Sequence, residues 1–136
     1  MKIALDADPI IQSLGGGMAR KIILEGGLEL VTTFFTLAEA KRKAIKIAKR
    51  TGYPGLLLKM MIDAVPADVF EREDYQDYRE EARLEIGKRD AGDVDILALA
   101  LWLRIPIWTA DKDFEVAQVE TYDTPRLLKR LGWISQ

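Results

Sequence analysis

Apolar and polar positions change period repeatedly along the chain, and each change marks an element. Residues 2–5 form a short apolar run, closed by Asp6, that predicts a buried strand. Asp8-Pro9 then predicts a helix start, with Asp8 as N-cap and Pro9 at the first helical position. Ile10, Ile11 and Leu14 would be its buried face, and Gly15-Gly16-Gly17 its end. A second short helix over 18–25 stops at Gly26-Gly27, and 28–32 reads as strand two. Over 36–50 the period is helical: Leu37, Ala40, Ala44, Ile47 and Ala48 share one face, and Gly52 caps the end. Tyr53-Pro54-Gly55 breaks the chain before an apolar helix over 56–64. Residues 66–70 read as a short strand, and 71–88 as a charged helix with Tyr75, Tyr78, Ala82 and Ile86 inward. A helix over 94–103, capped by Asp93, precedes a strand over 106–109 that Pro106 can only begin. A last strand over 116–122 and a helix from Thr124-Pro125 to about Gly132 complete the chain.

Strands alternating with helices predict an α/β fold, a three-layer α/β/α sandwich with a central, mainly parallel sheet, in one domain over 1–136. The helix at 56–64 carries Leu56, Leu57, Leu58, Met60, Met61 and Ile62. That is more apolar surface than one sheet face absorbs, so it predicts a homodimer contact.

Composition narrows the classes. An apolar fraction of 49% with 31% charged residues is that of a globular chain, not a disordered one. No apolar run reaches membrane-spanning length, and the start MKIALDAD lacks the apolar core of a signal peptide, so a cytoplasmic protein with no membrane partner is expected. With no Cys, disulfides and thiolate metal sites are excluded. A net charge of -2 gives no bulk attraction to nucleic acid, so binding would need a local positive surface. The polar face from Lys41 to Arg50 offers one, with Lys43 and Lys46 as candidate phosphate contacts.

The candidate chemistry lies in four acids. Asp6 closes the first strand and Asp111 follows the apolar run IPIW. Asp93 opens a helix, and Glu39, with its longer reach, sits on another. The carboxyl ends of parallel strands are where such folds bind ligands. Carboxylates gathered there repel unless a cation lies between them. With neither His nor Cys in the chain, hard oxygen donors suit Mg²⁺ or Mn²⁺ rather than zinc. Such ions activate water and stabilise charge on phosphate oxygens, which points to phosphodiester hydrolysis, with nucleic acid the leading substrate class. Asp6, Asp93 and Asp111 are the expected ligands. Each acid also has a plainer reading: Asp6, Asp111 or Asp113 at a turn, Asp93 capping its helix, Glu39 on a solvated face. Thr109 or Ser13 can hydrogen-bond a ligating carboxylate or a phosphate oxygen. Gly15-Gly16-Gly17 lacks the Lys and Ser/Thr ending of a phosphate loop.

Three segments carry a family resemblance. IALDAD, LAEAKRK and above all RDAGDVDILALALWLRIPIWTADKDFE resemble the PIN domain family of metal-dependent ribonucleases, in order from about residue 2 to 125. The resemblance implies catalytic roles for Asp6, Glu39, Asp93 and Asp111, with Asp113, Asp90 and the hydroxyl of Thr109 in support. Where the family usually has Asn two residues after its first Asp, this chain has Asp8. The resemblance further implies Mg²⁺- or Mn²⁺-dependent cleavage of RNA, a dimer, and kinship with the toxins of VapC-type toxin–antitoxin pairs, which a small cognate antitoxin silences. A deoxyribonuclease or flap-type nuclease and a catalytically silent RNA-binding or protein-interaction module are the alternatives. A receiver-like phosphoacceptor fits TADKDF poorly.

Overall fold

The computed structural model describes residues 1–87 and 91–135. Its first strand, β1 (Lys2–Leu5), alternates cleanly: Ile3 and Leu5 enter one core, and Ala4 enters the other. Both faces of this strand are therefore covered, which is why its sequence is apolar without alternation. Helices α1 (Ala7–Leu14) and α2 (Gly17–Glu25) follow, then β2 (Glu29–Thr33), α3 (Phe34–Thr51), α4 (Gly55–Asp63) and β3 (Ala67–Phe70). Next come α5 (Arg72–Tyr75), α6 (Arg79–Ile86), α7 (Ala91–Leu103), β4 (Ile107–Trp108), β5 (Thr121–Tyr122) and α8 (Thr124–Arg130).

The five strands form one sheet in the order β3-β2-β1-β4-β5, and every pairing is parallel. From β1 the chain builds outward to β3, then returns to β4 on the other side. The reversal places a crevice outside the carboxyl ends of β1 and β4, where this class of sheet binds ligands. One core, between the sheet and α1–α4 and α8, contains Ile3, Leu5, Ile10, Ile22, Ile62 and Trp108. The other contains Tyr75, Ile86, Ile96, Leu97, Leu99 and Phe114 under α5–α7. The helices on opposite faces make this the expected three-layer sandwich. No helix among the described residues is long and apolar enough to cross a membrane.

Helix α3 runs from the carboxyl end of β2. Thr33 caps it by accepting the Thr36 N–H at 2.9 Å, and Gly52, at φ 76°, ends it in the left-handed conformation. Ala40, Ala44 and Ala48 repeat at one-turn spacing on its buried face, so its backbone sits close to its neighbours. In α4, Leu58 and Ile62 are buried, whereas Leu56 is 73% and Met60 59% exposed.

Four boundaries differ from expectation. Asp6, not Asp8, caps α1, accepting the Ala7 N–H; Asp8 lies in the first turn. Asp93 lies inside the first turn of α7, which begins at Ala91, so it does not cap that helix. The expected helix over 71–88 divides into α5, a 3₁₀ turn (Gln76–Tyr78) and α6. Asp74 folds back to accept the Glu71 N–H, and Tyr75 turns fully inward toward Asp95, so the charge pattern alone reads too continuously. The expected strand over 116–122 shrinks to two residues. Asp111 accepts the Asp113 N–H at 2.8 Å and starts a 3₁₀ turn, Lys112–Val116, that drives Phe114 into the core.

Candidate active site at the carboxyl edge of the sheet

Asp6, Asp8, Glu39, Lys43, Asp93, Asp111 and Asp113 line one cleft of about 280 Å³. All four principal acids anticipated from sequence, and Asp113, are therefore brought together. Three elements aim them: the β1–α1 junction holds Asp6 and Asp8, α3 holds Glu39 and Lys43, and the first turn of α7 holds Asp93. The segment after β4 adds Asp111 and Asp113. Asp90 lies outside the described residues.

Asp6 is the most enclosed member, 6% exposed. Its Oδ1 accepts the Ala7 N–H at 2.8 Å and its Oδ2 accepts the Thr109 hydroxyl at 2.7 Å. Thr109 Oγ1 in turn accepts the Asp111 N–H at 3.0 Å. The expected hydroxyl partner is thus in place, and one side chain ties the ends of β1 and β4 together. Ser13 plays no such part; its hydroxyl donates to the Ile10 carbonyl at 2.6 Å. Burial pushes the Asp6 carboxyl up to about 6, against the lowering effect of the Thr109 and Ala7 hydrogen bonds and with the help of the Asp8 and Glu39 charges.

Lys43, a candidate phosphate contact with Lys46, lies at the cleft among the acids. Its Nζ donates to Asp8 Oδ1 at 3.0 Å and lies 4.0 Å from Glu39 Oε1. Partial burial lowers its pKa, but the Asp8 hydrogen bond and the charges of Asp8, Glu39 and Asp6 outweigh burial, and the net direction is upward. Lys46 remains exposed. Gly92 was also not anticipated as part of the site: a Cβ there would meet Glu39 Oε2 at 3.3 Å, so its lack of a side chain admits the Glu39 carboxylate against α7. The signals were present as the Glu39/Lys43 spacing of four and the Gly inside DAGD.

The donor set fits a hard divalent cation. It is all oxygen and carboxylate-rich, and burial with the neighbouring Asp8 and Glu39 charges raises the Asp6 pKa. As the side chains lie, no three acids among the described residues are grouped closely enough to ligate one ion. A cation would draw them inward, and the half-exposed positions of Asp111 and Asp113 leave their side chains room to turn.

A second charged cluster abuts this site and was not singled out in sequence. Asp95, 1% exposed, accepts from Arg72 Nε at 3.2 Å and Nη2 at 2.9 Å, and from the Tyr75 hydroxyl at 3.0 Å. Arg79 Nε lies 3.2 Å from the same carboxylate, off the hydrogen-bond line. Burial and the Asp95 charge raise the Tyr75 pKa, keeping its hydroxyl protonated as a donor.

A PIN domain family model matches residues 4–132. No curated protein matches the chain in sequence. Among solved structures, PAE2754 from Pyrobaculum aerophilum is similar with a TM-score of 0.74 at 18% identity, over 98% of this chain and 97% of that one. A toxin–antitoxin complex from Klebsiella pneumoniae contains a chain similar with a TM-score of 0.65 at 19% identity, over 90% and 97%. VapC20 from Mycobacterium tuberculosis, described as a toxin cleaving the sarcin–ricin loop, is similar with a TM-score of 0.61 at 17% identity, over 86% and 95%. At these identities the structural likeness speaks for the fold.

Proposed function

This chain belongs to the PIN domain family, and from that premise we propose that it is a metal-dependent endoribonuclease, the toxin of a VapC-type toxin–antitoxin pair. One observation carries the reading: six carboxylates from four separate parts of the chain line a single cleft at the sheet's switch point. Burying Asp6 there without a full counter-charge is unfavourable for folding, and a cation-binding role accounts for it.

Asp6, Asp93 and Asp111 would hold Mg²⁺ or Mn²⁺, with Glu39 completing the set. The ion supplies a Lewis acid and an acidified water for attack on phosphorus. The chain's own residues do the rest. Ala7 N–H and Thr109 fix both Asp6 oxygens, so that carboxylate cannot swing away from the cleft. Glu39 or Asp113 would accept the water's proton, a role that falls to acids in a chain without His. Lys46, exposed on α3, is assigned to the RNA backbone. The reading includes a cytoplasmic location, a homodimer and a cognate antitoxin, the last supported by similarity to chains from toxin–antitoxin complexes.

The test is cleavage of labelled single-stranded RNA, structured RNA and DNA by wild type and Asp93→Asn, with Mg²⁺, Mn²⁺ or chelator. Metal-dependent RNA cleavage lost in Asp93→Asn is the expected result. Cleavage of DNA alone moves the assignment to a deoxyribonuclease, and equal activity of both proteins overturns the site. Expression in a host cell should arrest growth for wild type and not for Asp93→Asn.

A further inference from the structure

On its exposed rim the carboxyl edge carries an aromatic and cationic platform for which the acid cleft has no use. Phe34, the first residue of α3, is 52% exposed. Its ring meets Phe35 edge to face, with centroids 5.8 Å apart. The Arg72 guanidinium lies over the Phe35 ring at 3.8 Å from its centroid. Arg72 is held there by its two hydrogen bonds to buried Asp95.

The platform is adjacent to the acids on two elements. Phe35 precedes Glu39 by one turn on the same face of α3, and Asp95 follows Asp93 by two residues on α7. Along that face of α3, Phe35, Glu39 and Lys43 succeed one another at spacings of four. Two guanidiniums, Arg72 and Arg79, meet the Asp95 carboxylate. A buried ion cluster is an inefficient way to gain stability. Its geometric result is that Arg72, usually a flexible side chain, is held over the Phe35 ring, one helical turn before Glu39. In a chain of net charge -2, a fixed cation beside an exposed aromatic ring is the kind of local contact that nucleic-acid binding can use.

We propose that Phe34 and Arg72 form a nucleotide subsite beside the acid cleft, in which an unpaired base stacks on Phe34 and Arg72 contacts the adjoining phosphate. The inference rests on the nucleic-acid reading above and adds to it a single-stranded substrate. Exposed aromatics next to Arg are how single strands are gripped without sequence readout. Asp95 is a positioning residue in this arrangement, acting through Arg72.

Binding is measured by anisotropy with a labelled 12-nucleotide single-stranded RNA, on an Asp93→Asn background with Mg²⁺ so that the RNA survives. Phe34→Ala should weaken binding about 5- to 100-fold, the range for one lost base stack, while Phe34→Trp retains it. Because Phe34 is exposed, its thermal midpoint should stay within error of the parent. Moving one abasic nucleotide along the RNA locates the stack: at one position it should weaken the parent and leave Phe34→Ala unaffected. Arg72→Gln should reduce the salt slope by about one phosphate contact. If Phe34→Ala binds as tightly as the parent, or the abasic penalties are the same in both, the subsite is refuted while the nuclease reading stands. If the parent binds no single-stranded RNA or DNA, both fall.

Discussion

Asp6 and Lys43 show how single side chains respond to a crowded acidic site. Asp6 titrates near 6 in the folded protein against an ordinary value of 3.8, so between those values the folded state binds the proton more readily than the unfolded one. Its contribution to stability is full below about 4 and is lost as pH rises through about 6. In chelator, the wild type minus Asp6→Asn difference in unfolding free energy should therefore rise as pH falls from 6 to 4, by on the order of 2–3 kcal/mol. Urea melts across that range are the measurement, and a flat difference would contradict the burial argument. Lys43 supplies part of the missing positive charge while pairing with Asp8. Lys43→Met should thus tighten Mn²⁺ binding about tenfold by calorimetry, since more uncompensated carboxylate charge faces the cation. Asp8→Asn combined with Lys43→Met should return the affinity near wild type, and unchanged binding in the single variant would show that Lys43 does not influence the metal.

At the scale of elements, the joint between α5–α6 and α7 rests on one buried carboxylate. Asp95 receives Arg72, Tyr75 and Arg79, and its removal leaves two guanidiniums facing a neutral group in a largely dry site. Asp95→Asn should cost about 2–4 kcal/mol in chemical unfolding. A loss below about 1 kcal/mol would mean that the cluster is solvated. This joint also marks where sequence reading stopped. Local patterns sufficed for β1, α3 and α7, because Ile3–Leu5 and the Ala40/Ala44/Ala48 repeat state their environment in a few residues. The acids of the cleft were legible because strand ends and a family motif place them. The Asp95 cluster was not, since its members are separated by up to 23 positions and its Arg and Asp residues pass for surface charge. The division of α5 from α6 was hidden for the same reason: Tyr75 is drawn inward by a partner on another helix. The pairing of Lys43 with Asp8 was not legible because a basic run looks uniform until the carboxylate opposite is known.

For the whole molecule, the exposed apolar face of α4 is the feature that a monomer leaves unexplained. Leu56, Leu57 and Met60 are open to solvent, and Tyr53 extends the surface. Ile11, Leu14, Ile47 and Leu58 line an adjoining groove of about 530 Å³. A homodimer through this face is the expected assembly. Light scattering at micromolar concentration should give twice 15.4 kDa, and Leu56→Glu with Met60→Glu should give the monomer mass. A monomeric wild type would leave the face to another partner.

The hydrogen bond between Thr109 and Asp6 joins residues 103 positions apart. Such a contact cannot form locally, and its closure entropy is met only when β4 has paired with β1. During synthesis, helices up to α6 can form while the cleft still lacks two of its walls, α7 and the segment after β4. The acidic site is therefore a late product of the folding reaction, and an incomplete chain carries Asp6 and Glu39 without the partners that make them a site. For a chain proposed to be toxic, that ordering delays competence until the segment after β4 has emerged, giving a binding partner made alongside it time to arrive.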